Sequence, residues 1–285
     1  MKPALSSRSL LITGCSSGIG ATAALHMHQR GYRVFASARK LDDLEPLAAQ
    51  GLEVIKLDVT DSVSIKNAVQ EVLNATGGEL FGLFNNAGYG QPGAVEDLTR
   101  EVLREQFETN LFGTHELTCR VLPVMRQQGY GRIIQNSSLL GYAALPYRGA
   151  YNASKFALEG LSDTLRQELK HTGIHVSLIE PGPIVSEFRR NAYAMFQRHI
   201  DRARSAHRKV YEKMEWRFTR PGPVAPFTLP ATAVLPKLIH ALESRHPKPR
   251  YRVTMPAHFF ALTRRLLSSN MQDRIAHMVS QGERE

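Results

Sequence analysis

Short apolar runs alternate with longer amphipathic stretches along the first two-thirds of the chain. Six of these runs are rich in Val, Ile, Leu and Phe and mostly do not alternate with polar residues: 10–13, 32–37, 52–57, 80–85, 131–137 and 174–179. Such runs are typical of strands that are covered on both faces of a sheet. The pattern therefore predicts six buried strands.

The segments between these runs have helical periodicity. Apolar residues recur at helical spacing over residues 19–29, 62–75, 100–127 and 151–171. Strands that alternate with helices form a parallel sheet with helices on both faces, and right-handed crossovers make that sheet doubly wound. The predicted fold is α/β: a single Rossmann-type domain over residues 1–285, with a sheet of about seven strands.

The pattern changes after the sixth predicted strand. Residues 187–230 begin as a basic helical stretch, 188–218, and then become rich in proline. An insertion at this point lies near the carboxyl ends of the strands, where ligands bind in doubly wound sheets. We therefore predict that residues 187–230 form a helical lid over a substrate site, and a packed helix pair is the alternative.

The C-terminal part is predicted to close the fold with a helix over 231–244, a short strand near 250–253 and a helical segment over 255–285. Residues 255–278 place large apolar side chains beside Arg264 and Arg265. We expect this stretch to pack on the domain or on a second subunit. An amphipathic basic stretch also suits a bilayer surface, so peripheral membrane contact stays open as an alternative.

Composition places the chain among soluble globular proteins. Of its 285 residues, 42% are hydrophobic and 22% are charged, and no apolar run is long enough to span a bilayer. The N-terminal stretch, 1–9, lacks the apolar core of a signal peptide, and two cysteines do not make a disulfide scaffold. A cytoplasmic location is the expectation.

The chain is basic, with a formal net charge of +10, and much of that charge lies late in the sequence. No nucleic-acid-binding motif accompanies it, so we predict a solvated basic surface and no nucleic-acid partner. Its eleven histidines show no metal-ligand spacing beyond His26 and His28, which point to different faces of a helix. No metal site is predicted.

A glycine loop, residues 13–20, follows the first predicted strand and opens the first helix. It reads Thr-Gly-Cys-Ser-Ser-Gly-Ile-Gly, a G-x-x-x-G-x-G spacing. Glycines let the backbone approach a pyrophosphate, and the helix N-terminus offers N–H groups and a favourable dipole. The residues predicted to bind a dinucleotide here are Gly14, Ser16, Ser17, Gly18, Ile19 and Gly20.

The end of the second strand bears on the choice of cofactor. An acidic residue there binds the ribose diol of NAD, whereas arginine accommodates the phosphate of NADP. The chain has Arg39 and Lys40 at this point and no acid before Asp42. Because arginine grips phosphate with two parallel hydrogen bonds, we predict NADP(H) in preference to NAD(H). The alternative is a solvated basic turn.

A tyrosine and a lysine four residues apart share one face of the predicted helix over 151–171. They are Tyr151 and Lys155. A nearby ammonium stabilises a phenolate and lowers the pKa of the tyrosine, which makes the pair a candidate general acid/base for interconverting a carbonyl and an alcohol. The strand before this helix ends in Ser137 and Ser138, which brings a hydroxyl to the same cleft.

Taken together, these motifs resemble the short-chain dehydrogenase/reductase family. The resemblance runs from about residue 9 to 186, and less sharply to about 254. It rests on six features in the family's order, namely the glycine loop, Asn85-Asn86-Ala87-Gly88, Asn110, Ser138, Tyr151 with Lys155, and Pro181-Gly182.

The resemblance implies catalytic roles for four residues. Tyr151 would protonate the carbonyl oxygen in reduction, and Lys155 would lower the tyrosine's pKa and hold the nicotinamide ribose. Ser138 would hydrogen-bond the substrate oxygen, with Ser137 pointing the other way. Asn110, in the helix predicted over 100–127, would hold a water that links Lys155 to solvent; it also suits a polar residue at a helix irregularity.

The resemblance also implies contacts to the cofactor. Asp58 and Val59 would bracket the adenine. The further residues implied are Asn86, Ala87 and Gly88 on the adenosine side and Pro181, Gly182, Ile184 and Ser186 at the nicotinamide. Many members that prefer NADP carry a basic residue where this chain has Ser17, so the cofactor prediction rests on Arg39, with Lys40 assisting.

Within the family, the chain is most similar to hydroxysteroid and retinol dehydrogenase-like members and to bacterial NADP-dependent aldehyde reductases. This implies a lipophilic aldehyde or ketone as substrate, with lid residues lining the pocket or packing in the lid: Phe188, Tyr193, Met195 and Phe196. It also implies a homodimer or homotetramer that pairs through the helices predicted over 100–127 and 151–171.

Three other functions share parts of this pattern. Nucleotide-sugar epimerases and dehydratases share the Tyr/Lys pair, but they usually have a T-G-x-x-G-x-x-G loop and a larger C-terminal domain. Enoyl reductases place the tyrosine seven residues before the lysine, where this chain has Arg148. A non-catalytic NADP-binding regulator typically loses the tyrosine or the lysine, and this chain keeps both Tyr151 and Lys155.

Overall fold

A computed structural model describes residues 8–282. The predicted single domain, 1–285, extends beyond these residues at both ends, and the predicted C-terminal segment, 255–285, extends beyond them at its end. Most of residues 1–9, which are predicted not to be a signal peptide, also lie outside them. The described residues contain one seven-stranded sheet in the order β3-β2-β1-β4-β5-β6-β7, in which every neighbouring pair is parallel. The strands are β1 Ser9–Thr13, β2 Arg33–Ala38, β3 Glu53–Lys56, β4 Gly82–Asn85, β5 Gly131–Asn136, β6 Ile174–Glu180 and β7 Arg250–Arg252.

Helices cover both faces of this sheet. Within the described range they are α1 Gly18–Gln29, α2 Glu45–Ala48, α3 Ser62–Thr76, α4 Arg100–Phe107, α5 Gly113–Gln128, α6 Gly149–Glu168, α7 Phe188–His199, α8 Arg208–Thr219, α9 Leu235–Glu243, α10 Met255–Leu266 and α11 Ser269–Gly282. Successive residues of β1 pack into different cores: Leu10 and Ile12 into one hydrophobic cluster and Leu11 into another. The predicted doubly wound parallel sheet is confirmed.

The helix predicted over 100–127 is present, but a π-helical turn, Glu108–Phe112, interrupts its α-helical geometry between α4 and α5. Asn110 lies in this turn and uses its amide to bind Tyr89 and Ser154. Gly113 then lets α5 approach the loop after β3 so closely that a Cβ there would lie 1.8 Å from the carbonyl oxygen of Val59. Wider π turns often mark functional sites.

The helical stretch predicted over 188–218 is present as a helix pair, which was the alternative considered for it. The structure has two helices, α7 and α8, and a turn between them. The carboxylate of Asp201 accepts hydrogen bonds from the backbone N–H groups of Ala203 and Arg204, which competes with helix formation there. Residues 187–230, the lid segment, are therefore a helix pair followed by a proline-rich stretch.

The C-terminal helices pack against the loop that follows β5. Ala257 and Phe260 of α10 share a hydrophobic cluster with Leu139, Leu140 and Leu145. On the opposite side, α10 exposes an apolar stripe at helical spacing, formed by Met255, Phe259, Leu262 and Leu266. No helix within residues 8–282 is long and apolar enough to cross a membrane.

Candidate functional site

The carboxyl ends of the central strands open onto one cavity of about 1110 Å³, which the lid segment also borders. Ligands bind at this edge of doubly wound sheets. Most of the predicted site residues line the cavity, namely Gly14, Ser16, Ser17, Gly18, Ile19, Arg39, Asp58, Val59, Asn86, Ala87, Gly88, Ser138, Tyr151, Lys155, Pro181, Gly182, Ile184 and Ser186. Gly20, Lys40 and Asn110 lie outside this lining.

The glycine loop forms a cradle at the start of α1. Gly14 and Gly18 have left-handed backbone conformations, with φ of 71° and 57°. Within the described residues, no side chain caps the N-terminus of α1, and its first turn contains no acidic residue. Such a turn has backbone N–H groups to offer an anion, so the loop fits a pyrophosphate.

Gly20 has a packing role at this junction. A Cβ on Gly20 would lie 2.1 Å from the carbonyl oxygen of Gly14 and 2.6 Å from the amide nitrogen of Asn86. Real Cβ atoms do not approach other heavy atoms so closely, so any side chain would push α1 away from β1 and β4. Gly20 therefore shapes the cradle through contact between helix and strand, without facing the cavity.

A hydrogen-bond network fixes the ends of three strands beside the cradle. The Thr13 hydroxyl accepts from the backbone N–H groups of Asn86 and Ala87, both at 2.9 Å. The Asn86 amide donates to the Thr13 carbonyl at 2.9 Å, and the Asn136 amide donates to the Asn86 side-chain oxygen at 2.8 Å. Sequence reasoning assigned Thr13 and Asn136 no role; a polar residue at the end of a buried strand was the available signal.

The cavity extends to the end of β2. Arg39 is exposed and lines the cavity, whereas Lys40 is exposed and lies outside the lining. The structure therefore places only the first of the two predicted phosphate-binding residues at the cavity. Asp58 also lines it, and its carboxylate accepts hydrogen bonds from the Thr60 backbone N–H and hydroxyl at 2.9 and 2.8 Å.

The catalytic candidates meet on the other side of the cavity. The Lys155 ammonium lies 5.6 Å from the centroid of the Tyr151 ring and donates to the carbonyl oxygen of Asn136 at 2.7 Å. The Ser138 hydroxyl hydrogen-bonds the Tyr151 phenol. A phenol, a hydroxyl and an ammonium thus line the same cavity as the glycine loop, an arrangement that could support general acid/base chemistry.

Asn110 contributes to this arrangement from behind the cavity wall. Its amide nitrogen donates to the Tyr89 carbonyl at 3.0 Å and to the Ser154 hydroxyl at 3.1 Å, and its oxygen accepts from the Tyr89 N–H at 3.1 Å. Asn110 therefore links the loop after β4 to α6, next to Lys155. The helix irregularity expected at this residue is present as the π turn.

Burial controls protonation at the two central groups. It raises the pKa of Tyr151 to about 12, against the lowering effect of the Ser138 hydrogen bond. It lowers the pKa of Lys155 to about 8, while the Glu159 carboxylate raises it. The structure therefore does not show the predicted lowering of the tyrosine's pKa by Lys155. Tyr151 holds its proton at neutral pH, which suits a general acid.

The aromatic and apolar residues of α7 were predicted either to line the pocket or to pack within the lid, and different residues do each. Phe188 lies edge-on to Tyr151, with ring centroids 5.3 Å apart, and it lines the cavity together with Met195. Phe196 is fully buried within the lid segment, and Tyr193 stacks on Phe218 at 5.4 Å. One side of α7 thus faces the cavity and another forms the core of the lid segment.

The lid segment is anchored to the body of the domain. The Ala94 backbone N–H donates to the Tyr211 hydroxyl oxygen at 2.8 Å, and that hydroxyl donates to the Asp97 carboxylate. The Ser205 hydroxyl donates to the same carboxylate at 2.6 Å. Ala94 also packs in a cluster with Phe196 and Tyr211. Sequence reasoning missed these anchors because they join residues more than a hundred positions apart.

The fold and this site define a dinucleotide-binding oxidoreductase. A parallel doubly wound sheet with a glycine cradle at its first strand–helix junction is the architecture that binds dinucleotides. In agreement, residues 8–196 match the family described as short chain dehydrogenase, and the chain belongs to that family. The family uses nicotinamide cofactors and acts on CH–OH groups. Within residues 8–282, no group of three or more His, Cys, Asp or Glu side chains is placed to hold a metal ion.

Three comparisons show how far the similarity extends. The chain is 42% identical to the oxidoreductase YbbO of Escherichia coli over 268 residues, which are 94% of this chain and 93% of that protein. It is 40% identical to retinol dehydrogenase 8 of Homo sapiens over 191 residues, covering 64% and 60% of the two chains. The structure of a short chain dehydrogenase/reductase from Burkholderia phymatum in complex with NAD superimposes with a TM-score of 0.76 at 25% identity, over 94% of this chain and 95% of that chain.

Proposed function

We propose that this protein is an NADP(H)-dependent oxidoreductase that interconverts a lipophilic aldehyde or ketone and its alcohol. One observation carries the proposal: Tyr151, Lys155 and Ser138 face the same cavity as the glycine loop. A substrate carbonyl beside Tyr151 would therefore share the cavity with a dinucleotide lying on that loop. Bound in this way, the nicotinamide supplies the hydride in reduction and accepts it in oxidation.

The chain's own residues would move the proton. In reduction, Tyr151 donates its phenolic proton to the carbonyl oxygen, and the Ser138 hydroxyl donates a hydrogen bond to the same oxygen. Lys155, held by the Asn136 carbonyl, places a positive charge beside the phenolate that forms. Asn110 would position a water on the path by which Lys155 exchanges protons with solvent. The alcohol is formed when the carbonyl carbon takes the hydride.

The preference for NADP(H) rests on Arg39. Its guanidinium borders the cavity at the end of β2, where an arginine accommodates the phosphate of NADP. The Burkholderia phymatum relative is described with NAD, so membership of the family does not decide the cofactor. Val59 and Asp58 would flank the adenine, and Ile184 and Ser186 would face the nicotinamide.

The lipophilic substrate rests on the walls of the cavity. Phe188, Met195, Leu140 and Leu145 line its substrate side, beside Tyr151. Apolar walls with a few placed polar groups are typical of sites for small apolar ligands. Retinol dehydrogenase 8, one of the relatives, is named for such a substrate.

The experiment that tests the proposal follows NADPH absorbance against medium-chain aldehydes, aromatic aldehydes, retinal and ketosteroids, with NADH in parallel. Turnover with NADPH on at least one of these groups is expected. Tight NADPH binding without turnover on any of them would instead favour a non-catalytic NADP-binding regulator. The epimerase and dehydratase alternative is disfavoured by the glycine spacing of residues 13–20.

We propose that two copies pair through α4, α5 and α6. These helices and the π turn between α4 and α5 expose large apolar side chains at Leu103, Phe112, Phe156 and Leu161, each 37–48% exposed. Light scattering is expected to show a dimer or tetramer. Phe156→Asp with Leu161→Asp is expected to shift the protein toward monomer, whereas Val63→Asp, at a more exposed site on α3, leaves assembly unchanged. A monomeric wild-type protein would contradict the proposal.

We also propose that the exposed stripe of α10 contacts bilayers that contain anionic lipids. The stripe is apolar, and residues 255–282 carry three arginines, Arg264, Arg265 and Arg274, against one acid, Asp273. A basic amphipathic helix binds such a surface in its plane. The protein is expected to sediment with vesicles containing phosphatidylglycerol, more weakly with phosphatidylcholine alone, and not after Phe259→Glu with Leu262→Glu. Absence of wild-type sedimentation would refute this contact.

A further inference from the structure

Helix α6 carries a polar stripe that continues beyond the catalytic pair. Tyr151, Lys155, Glu159 and Asp163 follow one another at four-residue spacing, so they lie along one side of the helix. Tyr151 and Lys155 reach the cavity, while Glu159 is only 6% exposed and lies outside the cavity lining. A carboxylate is expensive to bury, so its position beside Lys155 calls for a physical explanation.

The end of β5 and the two residues that follow it lie along this stripe. The Asn136 carbonyl accepts from the Lys155 ammonium at 2.7 Å. The Ser138 hydroxyl lies at the Tyr151 phenol and lowers its pKa. Ser137 and Glu159 both pack against Gly141, where a Cβ would lie 2.8 Å from the Ser137 Oγ and 2.9 Å from the Glu159 Cγ. The last residue of β5 and the two residues after it thus lie along three successive turns of α6.

Arg250 of β7 also contacts this stripe of α6. Its guanidinium lies 3.1 Å from the Glu159 carboxylate, 2.6 Å from that of Asp163 and 3.0 Å from that of Glu180. Glu180 is fully buried at the end of β6 and also pairs with Arg252 at 3.2 Å. Arg250 therefore joins α6 to the two outermost strands of this sheet edge through Glu159.

The charge of Glu159 acts on Lys155. Burial raises the pKa of Glu159, and Ser137 and Arg250 lower it. Burial also lowers the pKa of Lys155 to about 8, and Glu159 is the group that raises it. The charged and titratable groups that face Glu159 from every side are Lys155 and Asp163 on its own helix, Arg250 from β7, Glu180 from β6 and Tyr142 from the loop after β5.

We propose that Glu159 is a positioning residue, which holds α6 against β7 through Arg250 and keeps Lys155, one helical turn away, in its ammonium form. The inference rests on the proposed function, since Lys155 acts in that reaction. The buried ion cluster would then have a role in catalysis in addition to its structural one. The residue with that role, Glu159, would touch neither substrate nor cofactor.

The test is the substitution Glu159→Gln, which keeps the shape of the side chain and an oxygen that can accept from Arg250 but removes the charge. Lys155 then loses its ammonium proton at lower pH. The alkaline limb of the pH profile of kcat for reduction is expected to move to lower pH by on the order of one unit. An equal loss of kcat at every pH, with no movement of the limb, would show a purely structural role and overturn the proposal.

Two further variants separate charge from shape. Glu159→Asp keeps the charge but shortens the side chain, so kcat should fall while the limb stays in place. Asp163→Asn removes the neighbouring carboxylate that Arg250 binds, one turn further from Lys155, and is expected to leave the limb unmoved. A limb that moves equally in Asp163→Asn would show a diffuse electrostatic effect and contradict the assignment to Glu159.

A measurement without turnover keeps this inference separate from the proposed function. Titration of the lysine side chains by NMR, with the Lys155 signal assigned through Lys155→Arg, reports the pKa directly. A lower Lys155 pKa in Glu159→Gln supports the inference even if no substrate is found. An unchanged pKa overturns it even if the wild-type protein reduces aldehydes with NADPH.

Discussion

Tyr151→Phe is expected to lower kcat for carbonyl reduction by on the order of 10²-fold or more, because it removes the proton donor and leaves the carbonyl oxygen without its acid. The lost hydroxyl is the one that Ser138 hydrogen-bonds. Phenylalanine fills nearly the same space beside Phe188, so the cavity should keep its shape and NADPH binding should change little. The two quantities are measured as initial rates and as a fluorescence Kd.

The matched control is Tyr193→Phe, which removes a phenolic hydroxyl that lies near Glu215 in the lid segment, outside the cavity lining. Its kcat is expected to stay close to that of the wild-type protein. If Tyr151→Phe keeps most of its activity while NADPH binds normally, the assignment of Tyr151 as general acid fails.

The protonation of the same groups predicts a pH profile. Burial raises the pKa of Tyr151 to about 12, so the phenol remains a proton donor through the neutral and mildly alkaline range. The pKa of Lys155, near 8, is reached first as the pH rises. We therefore attribute the fall of kcat for reduction at alkaline pH to deprotonation of Lys155. For this reason the effects of the substitutions at Glu159 are measured on the alkaline side of the pH profile.

Arg39→Asp is expected to reverse the cofactor preference. On the proposed preference for NADP, the arginine would make charge-assisted hydrogen bonds to the phosphate, whereas an aspartate would repel that phosphate and accept hydrogen bonds from the ribose diol of NAD. Loss of such bonds to a charged group lowers kcat/KM with NADPH by roughly 10- to 100-fold, while kcat/KM with NADH rises. Initial rates over both cofactors give the ratio.

Lys40→Asp is the matched control, because it makes the same change of charge at the next residue, which is exposed and lies outside the cavity lining. It should alter the ratio of kcat/KM values far less than Arg39→Asp does. A cofactor ratio that is the same in Arg39→Asp and in the wild-type protein would mean that the phosphate is bound elsewhere.

Local patterns were enough to predict the sheet. The continuous apolar runs predicted strands covered on both faces, and β1 contributes to hydrophobic clusters on both sides of the sheet. The position of the π turn at Glu108–Phe112 could not be predicted from local patterns, because helical periodicity continues through it. The contacts that Asn110 makes there are to Tyr89 and Ser154, which are distant in sequence. The sequence left a helix pair open for 188–218, but the position of its break depends on the capping contacts of Asp201.

The site divides in the same way. The structure brings the glycine loop and the Tyr151/Lys155 pair to one cavity, and their spacing along the chain was enough to predict this placement. Sequence reasoning gave Lys40 the role of its neighbour Arg39, although the two residues differ in their relation to the cavity. Thr13 and Glu159 were missed, because their importance comes from partners on other strands and helices.

The anchoring of the lid segment has a consequence for how the site could open. Because Tyr211 shares its hydroxyl with Asp97 and its ring packs beside Phe196 and Ala94, α8 cannot swing outward without disrupting that cluster. We therefore expect α8 and the loop near Ala94 to unfold together, as one cooperative unit. Ligand exchange is then expected to use small sliding movements around the first turn of α7, where Phe188 meets Tyr151.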